Sequence, residues 1–311
     1  MSEARFSGVR LTVVAPSRQW QCADGSIDWA THERAMLALE ALGFTVTMMG
    51  GAYLEDRRFA GCDSARASDL MAALTEVPAD MVMALRGGWG AARILPLLDW
   101  EALAAHSATM PPLVGFSDFT ALNLAFYAKL EQASWQGPTL KDLIEPAALT
   151  LEGLEMVLGR KSFSLAWSGA EALGCAERFS TTGTLWGGNL TVLCALLGSE
   201  YFPRFSESIL FIEDVGEAAY KIDRMLVALS LAGALRGVRA IVVGDCAGAD
   251  RACAWAGDFS LAHALEDAQR REGIPIVTGL PFGHIHEKAS LPFGARVTLT
   301  HERGRSSLSL A

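Results

Sequence analysis

Apolar and polar positions come in alternating blocks along the first half of the chain. β-rich apolar runs at 11–15, 44–49, 81–85 and 113–116 are separated by amphipathic runs at 31–42 and 64–74. Leu11-Thr12-Val13-Val14-Ala15 and Met81-Val82-Met83-Ala84-Leu85 lack polar alternation, as strands covered on both faces do. Strands alternating with helices predict βαβ units and a mostly parallel sheet. Thr31 reads as a helix N-cap with Glu33 in the first turn, and Gly43 as the residue that ends that helix. Between about 140 and 180 the pattern loosens around a helical run at 151–158, which predicts an interdomain connection. It then resumes with strands at 183–188, 209–212, 240–243 and 274–278, helices at 190–197, 220–231 and 261–272, and a β-rich tail at 295–300. The predicted fold class is α/β in two domains, at 1–145 and 181–311, joined by 146–180.

Composition narrows the function classes. A chain of 311 residues, 51% hydrophobic and 20% charged, can bury a sizeable core and is not disordered. The net charge of -9 argues against a nucleic-acid partner, which needs a surplus of Lys and Arg. No apolar stretch reaches the roughly 18 residues that span a bilayer, and 1–9 lacks an apolar run of signal-peptide length, so the expected compartment is the cytoplasm. The six cysteines form no CxxC pair and no zinc-like spacing with histidine, which predicts free thiols, Cys253 included, with Cys194 and Cys246 packed among apolar neighbours.

Three predicted strands end in a reactive side chain: Ser117 after Gly115-Phe116, Glu213 in Glu213-Asp214-Val215-Gly216-Glu217, and His284 after Gly283. Nucleophile, acid and base in that chain order are the parts of a serine-hydrolase triad. Ser117 falls at a strand-to-helix turn, where the next backbone N–H can stabilise an oxyanion. Ser117 or Asp118 would equally serve as a cap of the helix at 120–130. Phe119 stands where a GxSxG elbow needs its last glycine, which disfavours an ordinary α/β-hydrolase. Arg86-Gly87-Gly88-Trp89-Gly90 follows another buried strand and matches neither phosphate-binding glycine spacing. It reads as a tight turn or as a second oxyanion donor with Arg86 free for a carboxylate. Asp214 and Glu217 are expected to bond backbone amides of the following turn and helix. His286 could share a face with His284, but no third metal ligand is in view.

Taken together, Arg86-Gly-Gly-Trp-Gly90, Gly115-Phe-Ser-Asp118, Gly187-Gly-Asn-Leu190, Glu213-Asp-Val-Gly-Glu217 and Leu280-Pro-Phe-Gly-His284 resemble the LD-carboxypeptidase family, the muramoyl-tetrapeptide carboxypeptidases of murein recycling. The motifs match in order and spacing from Val14-Ala-Pro-Ser17 to the end of the chain. The resemblance implies a flavodoxin- or Rossmann-like N-terminal domain bearing the serine and a C-terminal α/β domain of swivelling, β-rich character bearing acid and base. It implies a triad of Ser117, Glu213 and His284, with the oxyanion held by the backbone amides of Gly88 and Asp118. It also implies a murein tetrapeptide losing its terminal D-alanine, no metal or organic cofactor, and a homodimer.

Two positions depart from the family: Gln136 precedes Gly137-Pro138 where a histidine is common, and Trp186 precedes Gly187-Gly188. Trp186 is a candidate substrate contact, able to stack on a base if the substrate were that of the related microcin C immunity peptidases. A non-catalytic two-domain binding protein is the rival of a different class, and it requires Ser117 and His284 to lie apart.

Overall fold

The structure, a computed structural model, describes residues 4–251, 257 and 259–311; Cys253 and the first three residues lie outside them. Five parallel strands, β1 (Arg10–Val14), β2 (Thr45–Met48), β3 (Met81–Ala84), β4 (Leu113–Gly115) and β5 (Ser134–Gln136), form the N-terminal sheet in the order β5-β4-β3-β1-β2. Helices α1 (Trp29–Leu42), α2 (Asp63–Thr75), α3 (Ala91–Ile94), α4 (Trp100–His106) and α5 (Thr120–Leu130) connect them. All four residues of β3 are buried, which is why that run carries no polar alternation. The strand order reverses between β1 and β3, and in such sheets the ligand crevice lies outside the carboxyl ends at that point.

Helix α6 (Ala148–Val157) leads to an eight-stranded sheet containing β6 (Ser164–Ser168), β7 (Ala172–Leu173), β8 (Arg178–Asn189), β9 (Ser208–Val215), β10 (Val238–Ala247) and β11 (Ile276–Val277), with α7 (Leu190–Ala195), α8 (Ala219–Leu231) and α9 (Leu261–Glu272) between them. β8, β9, β10 and β11 run parallel in the middle of the order β6-β14-β13-β8-β9-β10-β11-β7, and the hairpin of β13 (Arg296–Glu302) and β14 (Arg305–Leu310) closes one side.

The halves are not strung on a linker. Within 146–180, Leu154 and Val157 of α6 are part of the first domain's core, while β6 and β7 are the two edge strands of the second sheet. From the other side, β12 (Leu291–Phe293) leaves the C-terminal half and pairs antiparallel with β5, making the N-terminal sheet six-stranded. One hydrophobic cluster runs through both sheets, from Val82, Leu113 and Phe119 to Leu185, Ile209, Phe282 and Phe293. The Gly187-Gly188 pair sits in this seam. A Cβ on Gly187 would come 1.8 Å from the Phe211 carbonyl oxygen, and one on Gly188 would come 2.5 Å from both Gln136 and Thr120. Glycine is needed there because Gly187 lies against the Phe211 backbone and Gly188 against the buried Gln136 and Thr120 side chains.

Lys288 fastens the same seam. Its side chain is 2% exposed, and its ammonium donates to Asp142 Oδ1 at 2.7 Å and lies 3.8 Å from the centre of the Phe116 ring. Burial pulls its pKa below the ordinary lysine range, against the attraction of Asp142. Breaking such a pair leaves a partly buried charge without its counter-ion, so Lys288→Ala is expected to lower unfolding stability by about 2–3 kcal/mol. Urea denaturation checks this, and a change under about 0.5 kcal/mol would show the pair to be dispensable.

The structure also relocates local signals. Asp28, not Thr31, caps α1, accepting from the Thr31 amide at 3.0 Å, because the helix begins at Trp29, three residues earlier than a cap at Thr31 would start it. Gly43 ends it in the left-handed region at φ 92°, as expected. Burial pushes the thiols of Cys194 and Cys246 up to about 12, which keeps them protonated. Among the described residues no helix is long and apolar enough to cross a membrane.

Candidate active site

Ser117 follows β4 and opens a single 3-10 turn before α5, with φ 64°. A non-glycine residue in the left-handed region is held there by its surroundings, and the sharp turn lifts the hydroxyl out of the backbone. His284 lies beyond β11, and its Nδ1–H donates to Glu213 Oε2 at 2.8 Å. Its Nε2 accepts from the Ser117 hydroxyl at 3.2 Å. This tautomer follows from the carboxylate, which can only accept. Glu213 is fully buried at the inner part of β9, between Asn189 of β8 and β10, so water cannot replace it as the imidazole's partner. The distance from Ser117 to His284 rules out the separation on which a non-catalytic binding protein would depend.

The glycine loop after β3 lies against the serine. A Cβ on Gly87 would stand 2.8 Å from Ser117 Cβ and 2.9 Å from its Oγ, and 3.6 Å from the Asp118 nitrogen. Gly88 has φ 131°, open only to glycine. Neither the Gly88 amide nor the Asp118 amide donates a hydrogen bond to another described residue, so both are available to an oxyanion. Gly87→Ala is expected to lower turnover roughly a hundredfold, because the added methyl must displace the nucleophile by a large part of an ångström. Steady-state kinetics with a melting curve tests this, and near-normal turnover would show that the loop yields.

Asp118 does not cap α5. Its buried carboxylate accepts from Ser17 Oγ at 2.5 Å and from the Ala91 amide at 2.8 Å, tying the Ser117 turn to the ends of β1 and the glycine loop. Burial raises its pKa, partly offset by those two bonds. Arg66, fully buried, braces the loop through the Gly90 and Pro16 carbonyls and pairs with Asp63.

A cavity of about 430 Å³ opens over these groups, lined among others by Arg86, Ser117, Lys141, Asp142, His284 and Lys288. His286 lines it too, but among the described residues no three His, Cys, Asp or Glu side chains gather as metal ligands. Asp214 turns away, accepting from the Thr191 amide at 2.9 Å and hydroxyl at 2.8 Å and from Asn189 Nδ2 at 3.2 Å, while Glu217 pairs with Lys221. A larger concavity of about 950 Å³, on the β8, β13 and β14 side of the second sheet, contains none of the reactive residues.

Both positions that depart from the family lie away from the cavity, including the expected contact Trp186. Trp186 is wholly buried, donating to Ser208 Oγ at 3.0 Å and stacked on Phe205 at 4.7 Å, so it cannot touch a ligand; an indole in the middle of the long β8 packs inward with its neighbours. Gln136 is buried as well, donating to Thr120 Oγ1 at 3.0 Å rather than facing the cavity. Arg86 does line the cavity, half-buried, its Nη1 donating to the Gln19 carbonyl at 3.3 Å. The cavity-lining residues that sequence reading missed are Asp142 and Lys288, whose pairing no local pattern reveals; it also missed Arg18, which lies against Gly88 of the glycine loop. A basic residue just beyond β1 in so acidic a chain was the available signal for Arg18.

Comparison with known proteins agrees with this geometry. Residues 11–137 match the LD-carboxypeptidase N-terminal domain, and residues 182–299 match the LD-carboxypeptidase C-terminal domain. The murein tetrapeptide carboxypeptidase of Pseudomonas aeruginosa is 30% identical over 92% of this chain and 96% of its own. The Escherichia coli microcin C7 self-immunity protein is 27% identical over 73% of each. The crystal structure of muramoyltetrapeptide carboxypeptidase from Oxalobacter formigenes superposes with a TM-score of 0.84 at 31% identity, covering 96% of this chain and 97% of that one. With both halves matched and the two-domain α/β fold shared, the chain belongs to the LD-carboxypeptidase family of serine peptidases and is an enzyme of that kind.

Proposed function

We propose that this enzyme removes the terminal D-alanine from murein tetrapeptides by a Ser117–His284–Glu213 triad. The observation that carries the reading is the unbroken path from Glu213 Oε2 through the imidazole to a serine held at positive φ. His284 Nε2 takes the hydroxyl proton as Ser117 Oγ attacks the carbonyl carbon of the amide before the D-amino acid. The Gly88 and Asp118 amides receive the oxyanion, and Glu213 stabilises the imidazolium. The same Nε2 then protonates the departing amine, and water, activated by His284, releases the acyl group from Ser117. Arg86, which lines the cavity, meets the substrate's carboxylate in this reading. The residue before the scissile bond is an L-configured diamino-acid centre, and the reaction belongs to murein reuse in the cytoplasm, in a homodimer. These last assignments come from the family resemblance alone.

Release of D-alanine from defined tri-, tetra- and pentapeptides tests the reading: the tetrapeptide is expected to turn over and the tripeptide not. An aminoacyl sulfamoyl-adenosine in the same assay separates a microcin C-type specificity, which has lost the support of Trp186 as a stacking surface. Turnover of the conjugate without turnover of the tetrapeptide would overturn the murein assignment.

A further inference from the structure

Two guanidiniums flank the glycine loop, and neither has an acid. Arg86 comes from the carboxyl end of β3 and Arg18 from just beyond β1, the two strands between which the sheet order reverses. Among the described residues no carboxylate lies within ion-pairing distance of either, although this chain carries 35 acidic against 26 basic side chains. Arg18 Nε is buried without a hydrogen-bond partner. Arg86 is spanned only by carbonyls, its own neighbour's at 3.2 Å and that of Gln19 at 3.3 Å. Burial and then the proximity of Arg18 pull the Arg86 pKa down, so the two charges repel each other inside a partly dry wall. Paired unneutralised cations beside a nucleophile are costly to fold and are compensated when an anion arrives.

Arg18 is also built into the loop. Its aliphatic stem lies on Gly88, where a Cβ would come 2.4 Å from Arg18 Cδ and 2.5 Å from Cγ. Its guanidinium stacks on the half-exposed Trp89 at 4.7 Å, and Trp89 meets Phe59 edge-on at 5.8 Å. An anion held by Arg18 would therefore bear directly on the residue whose amide is offered to the oxyanion.

We propose that Arg18, together with Arg86, forms a carboxylate clamp that recognises the free C-terminus of the peptide and steadies the Gly88 amide while it does so. This rests on the carboxypeptidase reading above and adds to it the residue that makes the enzyme act only at a chain end. Guanidinium pairs suit a planar carboxylate, which accepts two parallel hydrogen bonds from each fork. A carboxamide at the same position offers no charge and only one acceptor oxygen, so it leaves the pair unneutralised.

The test compares two peptides identical except for a terminal carboxylate or carboxamide. The unaltered enzyme is expected to favour the carboxylate by about a hundredfold or more in kcat/KM. Arg18→Met, which keeps the stem on Gly88, should lose roughly 10- to 100-fold on the carboxylate and little on the carboxamide, and Arg18→Lys should recover part of it. Equal losses of Arg18→Met on both peptides would overturn the clamp, leaving Arg18 as a brace for the loop. So would an unaltered enzyme indifferent to the terminus. Calorimetric binding of both peptides to Ser117→Ala separates failure of the clamp from failure of the triad, since preference for the carboxylate is read there without turnover. A preference in that variant supports the clamp, and its absence overturns it. Hydrolysis persisting in Ser117→Ala would instead sink the serine mechanism.

Discussion

Ser117→Ala is expected to lower kcat for D-alanine release by on the order of a millionfold, the loss seen when the nucleophile of a serine triad is removed. The size follows from the geometry. His284 Nε2 has the Ser117 hydroxyl at 3.2 Å as its partner, and no other hydroxyl among the described residues bonds it. What remains is positioning and the oxyanion amides, acting on unactivated water. The fold should be indifferent, because alanine at φ 64° carries about the same backbone strain as serine. Melting temperature therefore serves as the control. Retention of more than about a thousandth of turnover in an intact fold would transfer the nucleophile's role elsewhere.

Glu213→Gln should cost on the order of ten-thousandfold, less than removal of the serine or of His284. Glu213 accepts the Nδ1–H of His284 at 2.8 Å and is wholly buried. A carboxamide there can donate as well as accept. It stabilises the tautomer with its proton on Nε2, the nitrogen that must be free to take the serine proton. It also supplies no charge against the imidazolium of the transition state, in a site where water cannot screen the difference. The measurement is kcat/KM across pH, with the loss persisting above the histidine range. A loss below about tenfold would make Glu213 a packing residue.

How far these positions could be read in advance varies with the range of the interaction. The strands at 11–15 and 81–85 were legible because full burial erases polar alternation, and a few consecutive residues suffice to show it. β12 was not. It is three residues long, contains Pro292, and belongs to a sheet whose other strands all lie before residue 137. Proline is tolerated because β12 is an edge strand, a fact of placement rather than of pattern. β14, Arg305–Leu310, alternates buried and exposed, but half of its residues are serines, which weakens the apolar signal. The stretch 146–180 read as a connection because its strands are edges with one face wet, yet it is woven into both domains.

Within the site, the reactive residue types were legible because each lies in or after a parallel strand, and such strands place their carboxyl ends along one rim, although only Ser117 closely follows its strand end. Asp118 shows the limit of local reading. An acid after a serine at a helix start fits a cap, but burial against Ser17 and the Ala91 amide claims its carboxylate. Trp186 shows the same from the other side, since nothing in its neighbours tells which face of β8 turns inward.

The sequence by itself determined which segments are buried strands and that a hydroxyl, a carboxylate and an imidazole stand near three of them, though not where each strand ends, since Glu213 lies within β9 and His284 seven residues beyond β11. Short-range propensity and burial settle such things within a few residues. Only the tertiary structure decided that Ser117 meets His284 across 167 positions and His284 meets Glu213 across 71. It alone decided that Trp186 is sealed in the core while Arg18 and Arg86 are left without acids around the glycine loop. Partner choice at that range depends on how two sheets share one core, and a side chain's neighbours there come from strands far apart in the chain.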